Sequence, residues 1–207
     1  DLEAELSDTG SIKTWKYDLW SDGHSTRPGG NPENLLPARY LNAGYKPPIS
    51  GFRGGAIRNA EPYYNIPNLS LNSHLFQGPL RISALRGLGA YANIFAIESF
   101  MDELAEKAGK ESLTFRIEHS IDKRAVGCME KLREMTKNKA TASNEGLGFA
   151  FSRYKNSAAY CAIAVLAEVK SQKVRVKNMW AVVDAGEIIN SDGIKNQIEG
   201  GMVQSAS

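Results

Sequence analysis

The chain has 207 residues and a formal net charge of +2, with 42% hydrophobic and 23% charged residues. This balance suits one large or two small globular domains with a buried core, and the charge does not suggest nucleic-acid binding. No apolar run reaches the roughly 20 residues of a membrane-spanning helix. The three histidines and two cysteines lack metal-ligand spacing, so we expect any metal to arrive inside a cofactor.

The first third of the chain predicts strands around a long connection. Residues 1–21 resemble two strands joined at Asp8-Thr9-Gly10, with Trp15 and Tyr17 on one face. The chain begins on the first arm of this hairpin, so we expect an internal fragment of a longer protein. Residues 21–68 are rich in Pro and Gly and predict a long connection, where Arg53 is either an anion contact or a solvated side chain. Alternation from Leu69 to Leu75 predicts a third strand.

The centre of the chain is a turn that leads into a helix. Leu85-Arg86-Gly87-Leu88-Gly89-Ala90 precedes an apolar stripe that continues to Ala108, and Gly109 occupies a C-cap position. Such a turn brings backbone N–H groups close to an anion, and Arg86 adds a planar cation. From the residues alone, an ordinary tight turn is the more frequent explanation. Glu98 and the adjacent Asp102 and Glu103 are expected on charged, solvated faces.

The remaining chain predicts two short helices and then a β-rich segment. We expect helices over 112–119 and after Asp122, with the stripe Ala125, Cys128, Met129, Leu132 and Met135. Both cysteines are expected to be buried. Three strands follow, of which the apolar run Ala158–Val169 is typical of burial on both faces, before a last helix through Ile194, Ile198 and Met202. The fold class is mixed α+β in two pieces, divided near residues 120–146.

Two sequence blocks resemble one protein family. The first is L-R-G-L-G-A-Y-A-N-I-F-A-I-E-S-F-M-D-E-L-A from Leu85, and the second contains V-V-D-A-G-E-I-I-N from Val182 and N-Q-I-E-G-G-M-V-Q from Asn196. Both resemble the molybdopterin-binding large subunit of the molybdenum hydroxylases, the xanthine dehydrogenase and aldehyde oxidase family. They are most similar to its isoquinoline 1-oxidoreductase beta and nicotinate dehydrogenase branch. The resemblance implies that residues 1–120 end a first molybdopterin-binding domain and that residues 121–207 begin a second.

The resemblance also implies a cofactor site. The family holds a molybdenum–pterin cofactor, and Arg86 would lie next to the metal with Gly87, Leu88, Gly89 and Ala90 around it. Leu88 stands where relatives often have a phenylalanine facing the substrate, so the resemblance does not extend to that aromatic contact. Gln197 would hydrogen-bond the pterin through its amide, whereas the residues alone indicate a polar side chain on an exposed helix face.

Several parts of the family's machinery have no counterpart in this sequence. The catalytic glutamate base of the family lies downstream of the Q-I-E-G-G block, beyond Ser207, and the glycine-rich E-M-G-Q-G loop is missing between Lys137 and Gly146. We therefore assign no catalytic residue and expect this chain alone to be inactive. The implied partners are a small-molecule substrate, a [2Fe–2S] small subunit and a cytochrome acceptor. The sequence leaves a cytoplasmic or a periplasmic location open.

Three functions remain open at this stage. The first is part of a molybdenum hydroxylase whose parent hydroxylates an N-heterocycle or an aldehyde with oxygen from water. The second is a non-catalytic relative that serves as an assembly or binding module. The third is an unrelated phosphate-binding enzyme that uses the Arg86 turn, which would leave the second sequence block unexplained.

Overall fold

The computed structural model describes residues 1–24, 37, 40, 55–76, 78, 82–137, 139 and 141–206. Arg53 lies outside them. Ten helices and strands are found in this part of the chain: β1 (Leu2–Leu6), β2 (Ile12–Ser21), β3 (Asn68–Leu75), α1 (Ala90–Lys107), α2 (Ser112–Glu118), α3 (Lys123–Thr136), β4 (Glu145–Arg153), β5 (Tyr160–Lys170), β6 (Lys173–Asp184) and α4 (Ser191–Ala206). The mixed α+β class is confirmed. The chain divides into one unit of Asp1–Pro62 with Ile66–Phe100 and another of Tyr63–Asn65 with Met101–Ser207.

The first unit contains a three-stranded sheet in the order β1-β2-β3. The hairpin β1–β2 is antiparallel, as the sequence predicts, whereas β3 joins β2 in parallel. The alternation of β2 buries Trp15 and Tyr17, and Trp15 meets Phe100 edge-on at 5.1 Å between ring centroids. This face of β2 forms the core on which the start of α1 rests.

Helix α1 follows the predicted stripe with one correction. Ile97, Met101 and Leu104 are buried, and Gly109 adopts a φ of +66°, the left-handed conformation of a C-terminal cap. Glu98 was expected on a solvated face but is only 5% exposed. It lies one residue after Ile97, so its position falls at the margin of the apolar stripe, which is wider than the spacing of the apolar residues indicates.

The second unit packs α2 and α3 on one face of the antiparallel sheet β4-β5-β6. Its core contains the α3 stripe and alternate residues of β4 and β5, namely Leu113, Ala125, Cys128, Met129, Leu132, Phe151, Tyr160, Ala162 and Ala164. The predicted stripe of α3 is therefore confirmed except for Met135, which is 40% exposed. Met135 lies in the last turn of the helix, at the edge of the sheet contact.

The other face of this sheet differs from the prediction. Strand β5 was expected to be buried on both faces, but Cys161, Ile163 and Val165 are only partly buried while Ala162 and Ala164 are fully buried. An antiparallel sheet with helices on one face commonly leaves its other face accessible. The predicted turn between β5 and β6 is confirmed: Ser171 and Gln172 both adopt positive φ, 51° and 61°, which suits a tight two-residue hairpin.

The last helix, α4, has no buried residue. Its bounds agree with the sequence prediction, and Asn190 caps it by accepting a hydrogen bond from the Gly193 N–H at 2.8 Å. No helix in the described ranges is both long and apolar enough to cross a membrane.

Candidate functional site

The turn before α1, residues 85–89, is here named the Arg86 turn. Its backbone passes twice through the left-handed region, at Gly87 with φ +87° and at Leu88 with φ +55°. Glycine adopts this conformation freely, whereas a leucine there carries strain. Hydrogen bonds from Leu88 N–H to Leu85 O (3.0 Å) and from Ala90 N–H to Gly87 O (3.2 Å) close the turn.

Gly89 fixes the Arg86 turn against a second turn, Gly55–Asn59. Its N–H donates to Gly55 O at 2.9 Å. A Cβ atom built at position 89 would lie 2.7 Å from the carbonyl carbon of Ala56 and closer still to its oxygen. The two backbones touch at this position, so only glycine fits.

The outward side of the Arg86 turn is rich in accessible groups. Arg86 is exposed, and Leu85, Tyr91 and Phe95 are exposed by 79%, 70% and 73%. Within the described part of the chain, the backbone N–H groups of Tyr91 and Ala92 donate no hydrogen bond. These donors, the positive end of the helix dipole and a guanidinium together make the start of α1 suitable for an anion.

Gln197, the other sequence candidate, is an exposed residue of α4 in the second unit. It lies between the half-buried Ile194 and Ile198 on one side and exposed polar residues on the other. The structure describes the Arg86 turn and α4 in separate units, so it gives each its local geometry alone. The role of both in one cofactor site stays a prediction.

A polar cluster that the sequence analysis missed surrounds Asp122 in the second unit. Asp122 Oδ2 accepts hydrogen bonds from the hydroxyl groups of Tyr63 (2.7 Å) and Tyr160 (2.8 Å), while Oδ1 caps α3 by accepting the Arg124 N–H at 2.9 Å. Arg153 donates to the Tyr63 hydroxyl at 2.6 Å and lies 4.5 Å from the Tyr160 ring centroid. The Asp122 cluster, meaning Tyr63, Asp122, Arg153 and Tyr160, therefore holds residues 63–65 on the second unit.

Hydrogen bonding and burial shift the pKa values in this region. The hydrogen bond from Tyr63 lowers the pKa of Asp122 to about 2, and the one from Arg124 lowers the pKa of Asp184 to about 2. Burial raises the pKa of Tyr160 to about 12. These shifts keep both carboxylates charged and Tyr160 neutral at pH 7, which stabilises the cluster and leaves no proton acceptor tuned to neutral pH among these three groups.

Two further sequence interpretations can be judged from side-chain contacts. Asp102 was expected on a solvated face, but its Oδ1 accepts a hydrogen bond from the fully buried Arg116 at 2.7 Å, which is a structural ion pair. Cys128 is buried as predicted, whereas Cys161 is partly exposed, and both are free thiols. In the part of the chain that is described, no three His, Cys, Asp or Glu side chains are placed to hold a metal ion.

Comparison with known proteins follows the same two sequence blocks. The chain is an α+β protein with an anion-suited turn, and two family models match it, both described as molybdopterin cofactor-binding domain, over residues 83–207 and 39–119. The first match covers more than half of the chain. This chain therefore belongs to the molybdopterin cofactor-binding domain family, and the resemblance found in the sequence is confirmed.

Individual relatives match most of this chain but a small part of their own length. It is 29% identical over 195 residues to a nicotinate dehydrogenase subunit of Pseudomonas putida, an alignment that covers 85% of this chain and 16% of that protein. It is 26% identical over 182 residues to the beta subunit of isoquinoline 1-oxidoreductase of Brevundimonas diminuta, covering 84% and 22%. Aldehyde oxidoreductase from Desulfovibrio gigas aligns with a TM-score of 0.47 at 18% identity, over 84% of this chain and 20% of that one.

The Arg86 turn fits the phosphate-bearing part of such a cofactor. Accessible backbone donors at Tyr91 and Ala92 stand beside an exposed guanidinium. The N–H groups of Leu88, Gly89 and Ala90 are occupied by bonds within the chain, so they hold the shape of the turn. The donor set is therefore suited to an anion approaching the start of α1 from outside.

Proposed function

We propose that this chain forms part of the cofactor-binding region of a molybdopterin-dependent oxidoreductase subunit. The observation that carries the proposal is the family match over residues 83–207, which begins at the Arg86 turn and includes Gln197. The whole protein would hydroxylate an N-heterocycle or an aldehyde with oxygen from water. Its electrons would pass to a [2Fe–2S] partner subunit and then to a cytochrome.

The residues of the Arg86 turn would bind and orient the cofactor. Arg86 would pair with an anionic oxygen near the metal, and the Tyr91 and Ala92 N–H groups would donate to a phosphate. Leu88 would present an aliphatic side chain where relatives carry an aromatic one. Gln197 would donate to and accept from a heterocycle edge. When bound, the molybdenum–pterin group supplies the redox chemistry of the hydroxylation.

The domain assignment also stays a proposal. Residues 1–120 would end one molybdopterin-binding domain and residues 121–207 would begin another. The match that ends at residue 119 supports this division, although the second match begins at residue 83 and overlaps it. Limited proteolysis of the full-length protein between residues 119 and 123 would test whether a domain boundary lies there.

Molybdenum content is the first test of the proposed function. We would measure it by mass spectrometry of metals on the full-length protein, purified with its partner subunits from a molybdenum-replete host. Arg86→Ala should lower the molybdenum per protein, because losing a charge-assisted hydrogen bond costs about 1.5–3 kcal/mol, or roughly 10–100-fold in affinity. Gln197→Ala should lower it less, since a neutral bond is worth about 0.5–1.5 kcal/mol.

Matched controls separate binding from general damage. Arg175→Ala removes an exposed arginine from β6, and Asn196→Ala removes the exposed amide next to Gln197. Both should retain the metal content of the unmodified protein. A well-folded unmodified protein without molybdenum would overturn the enzyme proposal and favour a non-catalytic assembly or binding module.

A further inference from the structure

We propose that Asn93 is the positioning residue of the Arg86 turn and that it sets the conformation in which the turn meets the cofactor. The inference rests on the proposed function. Asn93 lies in the first turn of α1, is only 1% exposed and does not face outward with Arg86. Its effect would therefore pass through the backbone that it holds.

The Asn93 side chain is bonded to two separate segments of the first unit. Its Oδ1 accepts the Tyr17 hydroxyl of β2 at 2.8 Å. Its Nδ2 donates to Ala56 O at 3.0 Å and to Arg58 O at 2.9 Å. One amide thus joins the core of the sheet to the Gly55–Asn59 turn, with both of its donor hydrogens used.

The backbone of Asn93 completes the connection to the Arg86 turn. Its N–H donates to Gly89 O at 2.9 Å, and the Gly89 N–H donates to Gly55 O at 2.9 Å. The Gly55–Asn59 turn is therefore held from one side by the Asn93 amide and from the other by Gly89. Because Gly89 has no room for a side chain, movement of the Gly55–Asn59 turn would displace the Arg86 turn with it.

The Arg86 turn needs such support because it is strained. Leu88 holds a φ of +55°, and a non-glycine residue stays in this region only where the surrounding structure determines it. Asparagine suits position 93 because it combines an acceptor for Tyr17 with two donors for carbonyl oxygens. Aspartate has the same shape but would place a carboxylate against Ala56 O and Arg58 O.

The test uses the full-length protein with its partner subunits and compares Asn93→Asp with Thr136→Val. Thr136 is a buried residue of α3 whose hydroxyl donates to Leu132 O at 2.9 Å, so the control loses a buried hydrogen bond in the other unit. Hydrogen exchange is measured by mass spectrometry on peptides covering 55–60 and 84–93. Molybdenum content and the Mo(V) paramagnetic resonance spectrum are recorded on the same samples.

We expect Asn93→Asp to raise exchange in both peptides by about tenfold or more, to lower molybdenum content several-fold and to alter the Mo(V) spectrum of the metal that remains. Thr136→Val should leave all three unchanged. Tyr17→Phe, which removes the bond to Oδ1 alone, should fall between the two. If Asn93→Asp is not recovered folded, Asn93→Ser keeps one donor and is judged by the same three measurements.

The outcomes separate this inference from the proposed function. An Asn93 variant that keeps the unmodified metal content and Mo(V) spectrum overturns the positioning role and leaves the proposed function standing. An unmodified protein without molybdenum overturns the proposed function and the positioning role together, and increased exchange in the Asn93 variant would then indicate a folding role alone.

Discussion

The glycines of the Arg86 turn have different physical tasks although they stand two residues apart. Gly87 supplies a left-handed backbone with φ +87°, and the nearest atom to a Cβ there would be 3.9 Å away. Gly89 has no positive φ and is required because the Ala56 carbonyl occupies its side-chain position. The sequence pattern predicts close backbone approach to a ligand, whereas the approach seen at Gly89 is to the chain itself.

This contact makes Gly89→Ala a sharp test at the scale of one residue. We expect a loss of at least about 2 kcal/mol in the free energy of unfolding, because the new methyl group meets backbone that cannot move aside cheaply. Gly127→Ala is the matched control: Gly127 lies in α3 with no atom within 4 Å of a new Cβ, so alanine should stabilise by roughly 0.5–1 kcal/mol. Thermal or urea unfolding measures both. A neutral Gly89→Ala, or equal effects of the two substitutions, would contradict this packing.

Asn93 shows why part of the site could not be predicted at this scale. Its spacing of four residues before Ile97 and eight before Met101 places it on the buried stripe of α1, and that signal was available in the sequence. Its partners were not, since Tyr17, Ala56 and Arg58 lie 76, 37 and 35 residues away. A polar residue on an apolar stripe indicates a buried bond without naming the other side.

Helix α3 depends on a cap that does more than end a helix. The Asp122 carboxylate was predicted as a cap and does accept the Arg124 N–H, but its second oxygen also holds Tyr63 and Tyr160. The hydrogen-bond pattern of a cap is local and can be read from sequence, whereas the tyrosines come from residues 59 positions before and 38 positions after it. The element was predictable, and its anchoring of residues 63–65 was not.

The low pKa of Asp122 predicts how this anchoring depends on acid. A carboxylate has a pKa of about 4 when unfolded, and the pKa of Asp122 in the folded chain is about 2. Its contribution to stability is therefore complete above about pH 4 and is lost as the pH falls through about 2. Asp122→Asn should be less stable at neutral pH and should lose less on acidification between about pH 4 and 2. Urea unfolding across this range and up to neutral pH measures the difference.

A control identifies the source of that acid dependence. Asp8→Asn changes an exposed carboxylate in the turn between β1 and β2 and should keep the steeper acid dependence of the unmodified chain. Asp184, whose pKa is also about 2, contributes in the same pH window, so the Asp122 variant should be flatter without becoming flat. An unchanged slope in Asp122→Asn would mean that the cluster does not stabilise the fold.

At the scale of the whole molecule, sequence periodicity predicted the elements well and their pairing poorly. The hairpins β1–β2 and β5–β6 follow from short turns with Gly10 or with Ser171-Gln172. The parallel pairing of β2 with β3 does not follow, because 46 residues from 22 to 67 separate the strands. Long connections carry no register information, so such pairings are settled only by the packing of the complete fold.

The sheet β4-β5-β6 carries apolar residues on both faces, which explains why burial on both faces was expected. One face packs on α3, while Ile163 and Val165 on the other are partly exposed next to Ala181 and Met179 of β6. Accessible apolar surface of this kind either receives another protein surface or promotes aggregation. The pattern of residues predicts that the face avoids water and cannot say what covers it.

The accessible face of this sheet makes a prediction about solubility that two neighbouring residues can decide. Val165→Thr should lower aggregation and the binding of an apolar dye by this 207-residue chain, and it should cost under about 1.5 kcal/mol, because threonine suits a strand and the site is partly solvated. Leu166→Thr, on the buried face at 8% exposure, should cost about 2–4 kcal/mol and increase aggregation, since it leaves a cavity and a hydroxyl in the core. Light scattering and urea unfolding on both variants separate the faces. Similar losses of stability in the two would show that the Val165 face is packed within this chain as tightly as the helical face.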